Sequence, residues 1–292
     1  MHRLGLRVRR ADAELVLAAL LDLAPEGVEE TDVDPDTVEY ALYGSRDQLP
    51  GDSALRELAG EALAGLVRTE VADDWSVRWR DFHRPLVLGE RLCVRPPWEP
   101  PRGTALEVVI DPGQAFGTGA HATTRLCLEL LLELAAAAQS PPQPGAAGPL
   151  ASGPATAPHT VDVGAGSGVL AITAAKLGLG PVLALDNDQL AVEATAANAA
   201  VNGVAQLVGA RRFDLLEQTV PPADLLLANL LGPLLFALAE GLAERPRHGA
   251  IIASGLLDSE ADAVSRRLAR CGYRETDRRS LEGWSALLLR GD

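Results

Sequence analysis

Val161-Asp162-Val163-Gly164-Ala165-Gly166-Ser167-Gly168-Val169-Leu170 is a short apolar run that breaks into three alternating glycines and resumes as an Ala-rich helical pattern. Strand, glycine turn and helix in that order mark a nucleotide-type site. Glycines without Cβ let backbone N–H groups come against a ligand, and a helix beginning near Gly168 presents unpaired donors at the positive end of its dipole. The spacing narrows the ligand: a dinucleotide fingerprint G-x-G-x-x-G requires glycine at the position of Val169, whereas this chain reads G-x-G-x-G. Just downstream, residues 181–185 read as the next strand and end on Asp186, a carboxylate placed where it can accept hydrogen bonds from both hydroxyls of a ribose. Dinucleotide binding and a purely structural turn stay as alternatives.

The remainder of the composition fits a folded, soluble protein. The chain has 292 residues and is 47% hydrophobic, ample for one large or two smaller domains. Forty acidic against 26 basic residues leave a formal net charge of −14, which argues against a nucleic-acid surface and for a neutral or cationic partner. Cys93, Cys127 and Cys271 stand far apart, without C-x-x-C or a histidine cluster, so neither a disulfide scaffold nor a metal site is expected. The apolar run behind Arg3, Arg7, Arg9 and Arg10 is short and bracketed by Asp12, Glu14 and Asp22, unlike a signal peptide. The longest apolar region, residues 225–239, is interrupted by Asn229 and Gly232-Pro233, and falls short of the roughly 20 residues that span a bilayer. A cytoplasmic protein with no membrane partner is expected.

From the N-terminus, the patterns predict a strand over 2–8, a helix over 11–23 and strands over 28–33 and 37–43. That order suggests a small α+β domain over 1–51, with a helix on one face of an antiparallel sheet. Between Asp22 and Glu39 lie eight acidic residues and no basic one, either a solvated face or a docking surface for a basic protein. Helical spacing over 52–68 predicts a linker helix spanning 52–70. Residues 71–292 form the catalytic domain, with a strand expected over 105–110 and a helix over 125–138. Residues 139–159 hold six prolines, three glycines and no acid or base except His159, a composition that predicts a flexible insertion. Strands over 160–163, 182–185, 210–213, 224–228 and 250–253 then alternate with helices over 169–177, 189–202, 232–243 and 259–271. Alternation of this kind specifies a doubly wound, mostly parallel α/β sheet with ligands at the carboxyl ends of its strands. A closing pair over 273–280 and 284–289 reads as an antiparallel hairpin.

Two further strand ends carry polar groups. Asp214 follows Phe213 and could approach an adenine amino group or cap the next turn. Asn229 ends the fourth strand as Asn229-Leu230-Leu231-Gly232-Pro233, with no aromatic to sandwich a nucleobase. Its amide oxygen can accept a hydrogen bond from an incoming amine and align the lone pair.

The G-x-G-x-G spacing with Asp186 resembles the S-adenosylmethionine site of Rossmann-like class I methyltransferases. Together with the loop over 111–124 (Ala115-Phe116-Gly117-Thr118-Gly119, then His121 and Thr124), Asp186-Asn187-Asp188 and Leu227-Ala228-Asn229-Leu230, the chain resembles the family of methyltransferases that modify ribosomal protein L11. That resemblance implies S-adenosylmethionine as cofactor, contacts to it at Phe116, His121, Thr124, Gly164, Asp186 and Asn229, and a ribosomal protein docked by the N-terminal domain. Gly166, Gly168 and Asp214 complete the expected cofactor set. The implied reaction is methyl transfer to lysine ε-amino groups and an α-amino terminus. Asn229 aligns the amine and no general base is assigned, since desolvation of an ammonium lowers its pKa enough to release the proton to water. The insertion over 139–159 departs from the compact family pattern. A methyltransferase acting on a small molecule or RNA, and a dinucleotide oxidoreductase, are the competing functions.

Overall fold

The computed structural model describes residues 2–13, 16–17, 20, 28–44, 49–70, 84–111, 121–139, 159–242 and 248–291. The chain divides into two compact units, Met1–Phe82 and His83–Asp292.

In the first unit, β1 (His2–Arg9), β2 (Glu29–Asp34), β3 (Thr37–Gly44) and β4 (Leu63–Glu70) form an antiparallel sheet in the order β2-β3-β1-β4. Period-two alternation puts Leu4, Leu6 and Val8 of β1 and Val38, Tyr40 and Leu42 of β3 on one buried face, where they meet Leu55 and Ala59 of α1 (Asp52–Ala59). The expected linker helix over 52–70 is therefore corrected. Helix α1 ends at Ala59, before Gly60 with its positive φ of +50°, and 63–70 returns as β4, which pairs along β1. The domain boundary moves with it, because a module ending at 51 would lose both β4 and the helix that covers its core. One of the eight acids between 22 and 39 also turns inward: Glu39 is buried between Arg3 and Arg7, 2.5 and 2.6 Å away. Strand β2, at the edge of the sheet, is exposed throughout.

In the second unit, β5 (Leu86–Leu88) and β6 (Leu92–Arg95) are joined by a turn at Gly89 with φ +56°. With β7 (Leu106–Val109) they make a three-stranded sheet. The main sheet comprises β8 (Thr160–Val163), β9 (Val182–Asp186), β10 (Val208–Arg212), β11 (Leu225–Asn229), β12 (Ala250–Leu257), β13 (Tyr273–Leu281) and β14 (Trp284–Gly291). Its order is β10-β9-β8-β11-β12-β14-β13, with the first five parallel and β14 antiparallel to both neighbours. The doubly wound sheet and the closing hairpin agree with the sequence reading.

Helices α2 (Ala122–Gln139), α3 (Val169–Lys176), α4 (Gln189–Val201), α5 (Gly232–Leu242) and α6 (Asp258–Arg270) cover the sheet. Alternate residues of β11 enter two separate cores. Leu225 and Leu227 pack with α2 and α3, whereas Leu226 and Ala228 pack with α5 and α6. Burial on both faces is why this strand is a continuous apolar run. From β8 the chain winds outward to β10, then crosses back to β11 and winds the other way, so a crevice opens at the carboxyl ends of β8 and β11. Among the described residues no helix is long and apolar enough to cross a membrane.

Candidate functional site

The three motif glycines after β8 all have left-handed backbones, with φ of +72°, +54° and +81° at Gly164, Gly166 and Gly168. Space demands glycine too: a Cβ on Gly164 would lie 2.4 Å from Leu230 Cδ2, and one on Gly168 2.9 Å from Thr195 Cγ2. The turn is pinned from several sides. Gly164 N and Ala165 N donate to the Leu185 carbonyl at 2.8 and 3.1 Å, and Thr195 Oγ1 donates to the Gly166 carbonyl at 3.0 Å. Asp186, at the end of β9, accepts from Gly166 N on one oxygen (2.8 Å) and from Asp188 N on the other (3.1 Å). Each oxygen has a second lone pair, so the carboxylate is oriented by the turn and can still accept from a diol.

Beside this turn lies a pocket of about 140 Å³ lined by Gly164, Leu185, Asp186, Phe213, Asp214 and Leu230 among others. Apolar walls with two carboxylates at the edges fit a flat heteroaromatic base joined to a sugar. Asp214 caps the turn that follows it, its Oδ1 accepting from Leu216 N at 2.8 Å, and also lines this pocket.

Sequence reasoning passed over Asp162, which sits inside the opening apolar run. It is buried, and its Oδ2 accepts from Ala171 N in the first turns of α3 at 3.0 Å; Oδ1 has no hydrogen-bond partner. Burial pushes this carboxyl up to about 7, opposed by the Ala171 hydrogen bond and assisted by the Asp186 charge. The signal was present in the sequence, as one acid between two valines in a fully buried strand.

Asn198 and Asn202, one turn apart on α4 and its end, were missed as well. Asn202 accepts from Val109 N (2.9 Å) and donates to the Val109 carbonyl (2.6 Å), while Asn198 accepts from Asp111 N (3.0 Å) and donates to the Ser167 carbonyl (2.9 Å). Their amides act as an added strand beside β7 and tie its end to the glycine turn.

Across the crevice, Asn229 ends β11 and its Nδ2 donates to Thr124 Oγ1 at 3.4 Å. Thr124 is fully buried in the first turn of α2. His121, just before that helix, hydrogen-bonds Thr123 through Nδ1 (2.8 Å) and meets Trp284 edge to face, ring centroids 5.0 Å apart. The structure thus groups Gly164, Gly166, Gly168, Asp186 and Asp214 on one side, and His121, Thr124 and Asn229 on the other. Phe116 and the insertion at 140–158 lie outside the described residues. Cys127 is buried near this site, its thiol pushed up to about 12 by burial, and it stays protonated at neutral pH. Among the described residues no group of His, Cys, Asp and Glu is arranged to hold a metal ion.

Comparison with known proteins matches residues 29–291 to the family model of ribosomal protein L11 methyltransferase (PrmA). A ribosomal protein L11 methyltransferase of Pelotomaculum thermopropionicum is 39% identical over 80% of this chain and 71% of its own length. One of Heliobacterium modesticaldum is 36% identical over 75% of this chain and 64% of its own. The chain therefore matches about two thirds of the length of these curated relatives. The crystal structure of a ribosomal protein L11 methylase from Lactobacillus delbrueckii subsp. bulgaricus superposes with a TM-score of 0.57 at 28% identity, over 71% of this chain and 99% of that one.

Proposed function

The chain belongs to the ribosomal protein L11 methyltransferase family, and from that premise we propose that it transfers methyl groups from S-adenosylmethionine to lysine ε-amino and α-amino groups of ribosomal protein L11. The cofactor fits the residues present. The left-handed glycine turn leaves no room for side chains at Gly164 and Gly168, the pocket between Asp186 and Asp214 pairs apolar walls with carboxylates suited to a base and a ribose, and Asp162 offers a buried acceptor without a partner. Asp186 would hold the ribose and Asp214 the edge of the base, with Gly164, Gly166 and Gly168 carrying the backbone against them. Bound there, S-adenosylmethionine supplies an electrophilic methyl group on a sulfonium, so the protein's main task is alignment.

Asn229 performs that alignment. Its side chain is held by Thr124 through Nδ2, which leaves the amide oxygen to accept from an acceptor amine and point its lone pair into the crevice. The ammonium loses its proton on leaving water for this partly buried site, and the proton passes to solvent. Placement of Asn229 between Thr124 and the glycine crevice is the observation that carries the assignment.

Recognition of the protein substrate falls to the N-terminal unit, and the net charge of −14 suits a basic protein better than RNA. The enzyme works in the cytoplasm, where its substrate is made. Incubating the purified chain with S-adenosylmethionine and either native L11 or L11 whose amines have been acetylated tests the reading. Native protein should gain methyl groups and acetylated protein none; equal methylation of both would remove the amine assignment.

A further inference from the structure

At the carboxyl end of the sheet, beside Asn229, a rim of alternating apolar and acidic side chains can be followed residue to residue. Leu231, two positions after Asn229, is 64% exposed. The next residue, Gly232, abuts the Glu260 carboxylate so closely that a Cβ would lie 2.8 Å from Oε1. Glu260 Oε2 accepts from Leu257 N at 3.0 Å, and Leu257 is 46% exposed. Asp258 follows, accepting from Ser285 Oγ at 2.5 Å, and Ser285 adjoins Trp284. Trp284 is the cross-strand neighbour of Leu257 and stacks edge-on with His121. The chain of contacts returns from His121 through Thr123 and Thr124 to Asn229.

Two exposed leucines in one rim are unusual for a surface that faces only water, and the two carboxylates between them are anchored rather than free to sweep through solvent. A lysine side chain has complementary chemistry: an apolar four-carbon stem and a cationic head. We propose that Leu231, Leu257 and Trp284 form the entry wall for the acceptor lysine of the protein substrate, with Asp258 and Glu260 attracting its ammonium before it reaches Asn229. Trp284 is the aromatic ring of this rim, and aromatic rings hold methylated cations well. The wall therefore retains a partly methylated side chain between rounds. This assignment rests on the proposed methylation of L11 amines.

The test uses the full chain with ribosomal protein L11 and S-adenosylmethionine, comparing wild type with Leu231→Ser, Trp284→Phe, and Asp258→Asn combined with Glu260→Gln. Leu231 is mostly exposed, so its replacement leaves the fold intact. Expected outcomes are a KM for L11 raised about tenfold in Leu231→Ser with cofactor Kd unchanged, the loss of one apolar side chain from a contact. Trp284→Phe should shift the product from fully towards singly methylated lysine. The double charge variant should flatten the dependence of kcat/KM on salt. Wild-type KM, product distribution and salt dependence in all three would overturn the wall while wild type still methylates L11. Absence of methylation by wild type overturns the proposed function instead, and the wall with it.

Discussion

Asp186 and Asp162 are two carboxylates about one strand apart with opposite duties, and each makes a different prediction. Asp186 is held by Gly166 N and Asp188 N at the surface of the pocket. Asp186→Ala should weaken S-adenosylmethionine by about 1.5–3 kcal/mol, roughly tenfold or more in Kd by calorimetry; unaltered affinity would take the ribose away from this residue. Asp162 has a carboxyl raised from 3.8 to about 7 by burial. A folded state that binds a proton more tightly than the unfolded chain has its advantage below the unfolded pKa, and loses it as pH rises through the folded one. Asp162→Asn, which never ionises, should therefore gain Tm over wild type progressively between about pH 4 and pH 7 and hold that gain above. It should also bind cofactor less well, since it gives up the unpartnered acceptor. Melting curves whose difference does not change with pH would show that Asp162 ionises as it does in water. At Asn229, replacement by Ala should lower kcat by more than it raises the cofactor Kd, because alignment matters mostly in the transition state. A mutant with wild-type turnover would end the role given to that amide.

Among the elements, β12 carries the sharpest constraint. Its pairing with β14 shifts between Ser254 and Leu256, where Gly255 adopts φ +87° and a Cβ would lie 2.2 Å from the Leu230 carbonyl. Gly255→Ala should cost about 1–3 kcal/mol in urea unfolding and also lower turnover, because Leu230 must move away and carry Asn229 with it. Full stability would mean that the segment after β11 yields freely. Strands β11 and β12 were legible in the sequence because burial on both faces makes 225–228 and 250–253 unbroken apolar runs, and the glycine motif because its φ values admit little else. Strand β4 was not: its apolar residues follow straight on from an amphipathic helix, and only pairing with β1, some sixty residues earlier, makes 63–70 a strand. Asn198 and Asn202 were hidden for a similar reason. In sequence they are two polar residues in an Ala-rich helix, and their meaning depends on Val109 and Asp111 arriving from far away. Trp284 read only as the start of a strand until the fold set it against His121.

On the scale of the molecule, two compact units separate a sheet that carries no part of the glycine site from one that carries all of it. Removing residues 1–82 should therefore abolish methylation of L11 while S-adenosylhomocysteine binding survives; loss of cofactor binding would mean that the units are not separable in function. Folding of the second unit also has a pH term opposed to that of Asp162. His248 is buried with its Nδ1 accepting from Ala223 N, and burial lowers it to about 4. Its contribution is present above its unfolded pKa of 6.5 and is lost as pH falls through about 4, so the two groups offset one another over the same range. The central claim is that this crevice methylates amines of a protein, and mass spectrometry of L11 after incubation with enzyme and S-adenosylmethionine, mapped to individual peptides, tests it most directly. Methyl groups on lysine ε-amino or α-amino nitrogens, formed more slowly when Asn229→Ala replaces wild type, are the expected result. Methylation confined to oxygen, to carbon or to RNA present in the same mixture would contradict it.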